Sequence, residues 1–176
     1  MSGQKEDSYY LRSGLRIYPA QHEAINRLLA ELLDKTPAHF ILLTDVTGQV
    51  VSTAGDQSGI NLVSLASLVA GDLAASQEIA RLTGQLDAYQ MILREGQNAH
   101  TFISEAGDHL ALLVQISTEV PLGWARMTIR QAARQLAEIV AAPPAREADS
   151  PPSELDLAPD SLPDLFDEAL GDLWME

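Results

Sequence analysis

The chain has 176 residues, 46% of them hydrophobic, with 11 Lys/Arg against 25 Asp/Glu and no cysteine. That length allows one domain with appendages rather than two full domains. The missing cysteines exclude disulfides and thiolate zinc sites, and the net charge of −14 argues against a nucleic-acid backbone or an anionic membrane as the main ligand. The acidity is uneven: residues 1–141 hold 10 basic and 15 acidic residues, net −5, whereas residues 142–176 hold one Arg and 10 acids, net −9. No run of about 18 or more uninterrupted apolar residues occurs, and no basic start leads into an apolar signal core. The expectation is a cytoplasmic protein without direct membrane insertion.

Residues 1–18 are expected to form a flexible N-terminal arm, mostly polar around Tyr9 and Tyr10, with Leu15–Tyr18 too short a pattern to place. Pro19 opens a helix, a position where its missing N–H costs nothing. Ile25, Leu28, Leu29, Leu32 and Leu33 then recur at three and four, the apolar stripe of an amphipathic helix. The stretch His39–Asp56 reads as a β-hairpin: an apolar run Phe40–Leu43, the turn Asp45-Val46-Thr47-Gly48, and a β-branched return Gln49–Thr53. Phe40–Leu43 never alternates to polar, so that strand is expected to be covered on both faces.

A second helix is predicted from about Asn61 to Leu82. Leu62, Leu65, Val69 and Leu73 make its sheet-packing stripe; Val63, Ser67, Ala70, Gly71 and Ala74 make a second stripe of mostly small side chains. A glycine inside a helix costs about 1 kcal/mol against alanine, and close approach of another helix would account for Gly71. Three strands joined by short turns follow, over Tyr89–Arg94, Ala99–Ser104 and Leu110–Val114, and then a last helix from near Pro121 to Ala141, with Leu122, Ala125, Ile129, Ala132, Leu136 and Val140 inward.

The fold class is therefore α+β: a five-stranded antiparallel sheet in the order α-β-β-α-β-β-β-α, helices on both faces, over residues 19–141. The two all-apolar runs belong in the middle, with Gln49–Thr53 and Tyr89–Arg94 at the edges. Tyr89–Arg94 has no Pro and only Arg94 as a charge, short of the usual protection of an exposed edge, and pairing with its own copy would cover it. Residues 142–160 read as a disordered Pro/acidic linker. In the closing segment 161–176, Leu162, Leu165, Phe166, Ala169, Leu170, Leu173 and Trp174 again recur at three and four among acids, as in a helix that folds when it binds a groove.

Chemistry is sparse. No Gly-x-x-x-x-Gly-Lys phosphate loop is present, so the chain should not bind nucleotide itself. The four histidines include no H-E-x-x-H or H-x-H, so no metal site or cofactor is expected. Ser104, Asp108 and His109 could be imagined as a triad fragment, but Asp108 and His109 are neighbours that point to opposite faces of a strand, and no catalytic residue is assigned. Arg126, Arg130 and Arg134 recur every four residues on the last helix, either a solvated face partly neutralised by Glu138 or a dock for an acidic segment, the chain's own end included.

The element order, FILLTDVTGQVVSTAGD, the small-residue helix LVSLASLVAGDLAAS and PLGWARMTIRQAARQLAEIV together resemble the Roadblock (dynein light chain) family, nearest its prokaryotic MglB-like members. The resemblance covers residues 20–141. It implies a Roadblock/profilin-like fold and a homodimer, or a heterodimer with a second Roadblock-like chain, whose third strands pair and whose second helices pack. Val63, Ser67, Ala70, Gly71, Ala74, Tyr89, Met91 and Leu93 would then be interface residues. It further implies a non-enzymatic regulator or scaffold of a small Ras-like GTPase, bound near Ser64, Leu68, Ala75 and Glu78. MglB-like proteins can also carry a C-terminal segment that contacts a partner, the role open to Leu162–Trp174. The alternative is a small-molecule sensor module of PAS, GAF or profilin-like type, which needs a pocket with convergent polar groups.

Overall fold

The computed structural model describes residues 8–85 and 90–142. In chain order the elements are β1 (Tyr9–Tyr10), β2 (Arg16–Ile17), α1 (Pro19–Lys35), β3 (Ala38–Asp45), β4 (Val50–Gly55), α2 (Leu62–Leu82), β5 (Met91–Glu95), β6 (Ala99–Glu105), β7 (Leu110–Ser117) and α3 (Leu122–Ala141). The five longer strands form one antiparallel sheet in the spatial order β4-β3-β7-β6-β5. The two all-apolar runs are adjacent in it, with Leu42 opposite Leu113 and Leu43 opposite Leu112.

Each strand divides its side chains between two cores. Ile41, Leu43, Leu112, Val114, Ile116 and Phe102 meet Ile25, Leu29 and Leu32 of α1 and Ala125, Ile129 and Leu136 of α3. Phe40, Leu42, Ala111, Leu113 and Ile103 meet Ala66, Val69 and Leu73 of α2. This explains why neither central strand alternates to polar: two helices cover one face of the sheet and one helix covers the other. A single helix about 10 Å wide spans roughly two strands at the usual 4.8 Å spacing, so the α2 face of a five-stranded sheet is only part covered.

The N-terminal residues differ from expectation. β1 and β2 pair as a short antiparallel ribbon, and Leu11 and Ile17 are buried in the core beneath α1 and α3. Residues 8–18, expected to belong to a flexible arm, therefore form part of the domain. Two isolated apolar side chains in a polar stretch carry no helical or strand period, so only tertiary contact reveals their role. Gln21 ties the two ends of the α1–α3 layer together. Its Oε1 accepts from the Tyr18 amide at 3.0 Å, while its Nε2 donates to the carbonyls of Ile139 and Ala142, at 2.9 Å each. These carbonyls belong to the last turn of α3, which lacks intrahelical partners of its own.

Two smaller shifts accompany this. The third predicted strand runs over Met91–Glu95 rather than Tyr89–Arg94, and Tyr89 lies outside the described residues, as do residues 143–176 with every tail residue named above. The inward face of α3 includes Ala133 as well as the residues expected.

Candidate functional site

The helix α2 starts at Asn61, whose side-chain oxygen accepts from the Ser64 amide at 3.1 Å and satisfies a donor the first turn would otherwise leave unpaired. Its buried residues are Ala66, Val69, Ala70, Leu73 and Ala80. Ala70 corrects the sequence reading: at 8% exposure it faces the domain, not the outer stripe. The small methyl of Ala66 lets the helix sit low on the sheet.

What stands outward is unusual for the surface of a helix. Val63 is 72% exposed, Leu68 70%, Ile79 62% and Leu82 70%. Ser64, Ser67, Gly71, Ala74, Ala75 and Glu78 are exposed between them. By length and composition α2 is apolar enough to cross a membrane. Yet one face is packed on the sheet, and Asp72, midway along, is paired at 2.8 Å with Arg94 of β5. The helix is instead apolar on two sides, one covered and one open. A Cβ built at Gly71 would meet nothing within 4 Å, so nothing around it among the described residues requires glycine there.

The two margins of this outer face differ. On one, Ser67 abuts the β3–β4 turn, where a Cβ at Gly48 would come within 2.8 Å of the Ser67 Cα. On the other, Leu65, Leu68 and Asp72 border a groove of about 380 Å³ whose far wall is Arg94, Thr101 and Gln115 of the uncovered sheet. Leu68 thus lies beside β5, the edge strand, and Ser67 lies away from it. Met91 and Leu93 of β5 pack against the core beneath α3, while Ile92 packs against the α2 core. The Glu78 carboxylate is held below its ordinary pKa by the Arg81 guanidinium, which donates to it at 2.8 Å; the same contact raises Arg81.

The structure does not bring the imagined triad together. Ser104 is fully buried, whereas Asp108 and His109 are exposed in and beside the β6–β7 turn. Among the described residues, no group of three or more His, Asp or Glu is placed to hold a metal ion.

Among the described residues, the most densely hydrogen-bonded carboxylate is Asp45, at the hairpin turn. Its Oδ1 accepts from the Thr47 amide (2.9 Å), the Thr47 hydroxyl (2.7 Å) and the Gln49 amide (2.8 Å), and its Oδ2 accepts from the Ser13 amide at 3.1 Å. Burial alone would raise its pKa, but these donors together outweigh burial and hold it below the ordinary carboxylate value. Its work is structural: it pins the N-terminal ribbon to the turn that supports Ser67.

Residues 24–116 match the Roadblock/LC7 domain model. Among solved structures, the chain is similar to Myxococcus xanthus MglB, with 30% identity over 67% of this chain and 95% of that one and a TM-score of 0.63. It is similar to an MglB described as having a tetrameric arrangement, with 30% identity over 74% of this chain and 98% of that one and a TM-score of 0.67. The gliding protein MglB of Thermus thermophilus matches with 30% identity over the same shares, 74% and 98%, and a TM-score of 0.66. A comparison with curated protein sequences finds no match.

Proposed function

The chain belongs to the Roadblock/LC7 family, whose members regulate or scaffold rather than catalyse, and we propose that it acts as a dimer that binds a small Ras-like GTPase in the cytoplasm. The observation that carries the proposal is the open apolar face of α2 beside the bare β5 edge. Four large apolar side chains standing 62–72% exposed on one helix form the kind of patch that marks an interaction site.

Self-association joins the β5 edges of two copies and brings their second helices together over the part of the sheet that one α2 leaves uncovered. Leu68, beside the groove, then belongs to the seam between copies, with Gly71 at the closest approach and Met91 and Leu93 supporting the edge strand. Tyr89, outside the described residues, would extend that edge. A solved relative described as having a tetrameric arrangement supports self-association. The far margin, with Val63, Ser67 and Ala74, faces away from the seam and, with Ser64, Ala75 and Glu78 on the summit beside Gly71, forms the surface proposed for the GTPase.

The sensor reading draws on one observation, the same groove of about 380 Å³, where Asp72, Arg94, Thr101 and Gln115 converge on an apolar floor. A second copy of α2 would fill that groove, so the two readings exclude each other there.

Sedimentation equilibrium decides the dimer. The wild type should be dimeric at tens of micromolar, and Leu68→Glu should be monomeric because it places an unpaired charge in the seam. A monomeric wild type overturns the proposal. The partner is tested by calorimetric titration with a small Ras-like GTPase from the same organism, loaded with GDP or with a non-hydrolysable GTP analogue. Binding of neither form, by a dimer, removes the GTPase and leaves the dimer standing.

A further inference from the structure

We propose that Asp72 and Arg94, the charged pair in the groove beside α2, decide which chain can join this one, each Asp72 carboxylate accepting from the Arg94 guanidinium of a second copy. The inference rests on the dimer proposed above and names the residues that make it select its own kind.

Where α2 leaves the sheet uncovered, the strands carry a polar row. Arg94 on β5 lies opposite Thr101 on β6, and Thr101 lies opposite Gln115 on β7, so one polar side chain stands on each strand from the edge inward. Because β5 is the edge strand, Arg94 is the member of that row nearest to any copy that joins there. Asp72 borders the same groove from α2, one turn after Leu68.

The pair is incomplete within one chain. Arg94 Nη2 lies 2.8 Å from Asp72 Oδ2, yet that oxygen is buried and accepts no hydrogen bond among the described residues. The contact has the separation of an ion pair without the alignment of a hydrogen bond. The Asp72 side chain is 25% exposed and that of Arg94 63%, so the guanidinium stands largely in solvent with donors to spare.

A second copy that covers the groove removes that solvent. A charge pair taken out of water is tolerated only when further hydrogen bonds satisfy its remaining donors and lone pairs. Among the described residues, Asp72 is the one acid and Arg94 the one base that line the groove. In a two-fold interface a contact from Asp72 to the second copy's Arg94 is repeated in reverse, so each group meets the counterpart that it lacks. A chain of the same fold without both charges would bury one of them unpaired, which turns the pair into a filter against other chains.

Charge exchange between separately labelled full-length copies, read by native mass spectrometry, tests this. Asp72→Arg makes both positions basic, and Arg94→Asp makes both acidic. Each single variant should self-associate about tenfold or more weakly than the wild type, and an equal mixture of the two should recover a dimer with one copy of each. The double exchange Asp72→Arg/Arg94→Asp keeps the pair within its own chain and should dimerise as the wild type does. Mixed with the wild type, it should give about a tenth or less of the mixed dimers expected from random assortment, because like charges then meet across the seam. Random assortment of these two chains overturns the proposal. So does failure of the folded single variants to recover a dimer together while the wild type is dimeric. A double exchange that unfolds at the wild-type midpoint yet stays monomeric overturns it as well. A monomeric wild type overturns the dimer and this proposal with it, whereas the other three outcomes leave the dimer standing.

Discussion

At the scale of the residue, Asp45 shows how one carboxylate can organise a corner of the fold. Its side chain takes hydrogen bonds from the turn it opens and from Ser13, 32 residues earlier. Asp45→Asn replaces an acceptor-only group by one that turns a donor toward those N–H groups, and hydrogen bonds to a charged partner are worth about 1.5–3 kcal/mol. Urea denaturation near neutral pH should find the variant less stable by about that much. Because the folded pKa is lowered, the contribution is fully present above the unfolded carboxylate value of about 4 and is lost as pH falls through the folded value. The gap between wild type and variant should therefore be flat from pH 5 to 8 and narrow below about pH 4. A gap that widens on acidification would show that Asp45 is not the group holding the corner. Gly48 closes the same turn with φ +86, and a Cβ there would press on the Ser67 backbone. Gly48→Ala should destabilise the fold by about 1–3 kcal/mol, through strain in φ and through the clash.

At the scale of the element, α2 and α1 carry different kinds of constraint. Gly71 meets nothing within the described domain, so a larger side chain there costs the monomer nothing in packing and improves helix propensity by up to about 1 kcal/mol. Under the dimer proposal the same change overpacks the seam, at about 1–3 kcal/mol. Gly71→Leu should therefore keep cooperative unfolding under dilute, monomeric conditions while weakening self-association roughly tenfold or more in sedimentation equilibrium. Equal self-association by variant and wild type would remove Gly71 from the interface. Gln21 is the opposite case, a surface-looking polar residue that is buried and shared between two helices. Gln21→Ala leaves the α3 carbonyls without their donor and should lower the thermal midpoint, for a loss of about 1–3 kcal/mol. Helical spacing puts Gln21 one turn before Ile25 on the apolar stripe, but its partners lie 118 and 121 residues away and leave no local signal for the role of its amide.

At the scale of the whole molecule, the sheet separates two working faces. One face carries α2 with its open apolar side, and the other carries α1 and α3. The sequence holds no Gly-x-x-x-x-Gly-Lys loop, so the purified chain should show no heat of binding with GTP or GDP in calorimetry; a saturable signal would contradict a purely regulatory part.

The sequence by itself determined the architecture. Apolar runs of period two and stripes of period 3.6 report burial directly, because each face of a strand or helix repeats within a few residues. Phe40–Leu43 and Leu110–Val114 announced the centre of the sheet, the Asp45–Gly48 turn announced its hairpin, and the order of elements pointed to the family. Only the tertiary structure decided which surfaces are left over. The burial of Leu11 and Ile17, the inward turn of Ala70, and the placing of Leu68 beside β5 with Ser67 away from it all depend on the direction in which α2 and the N-terminal ribbon cross the sheet. The two margins of a helix are equivalent in periodicity and become distinct only when one meets a turn and the other a bare strand.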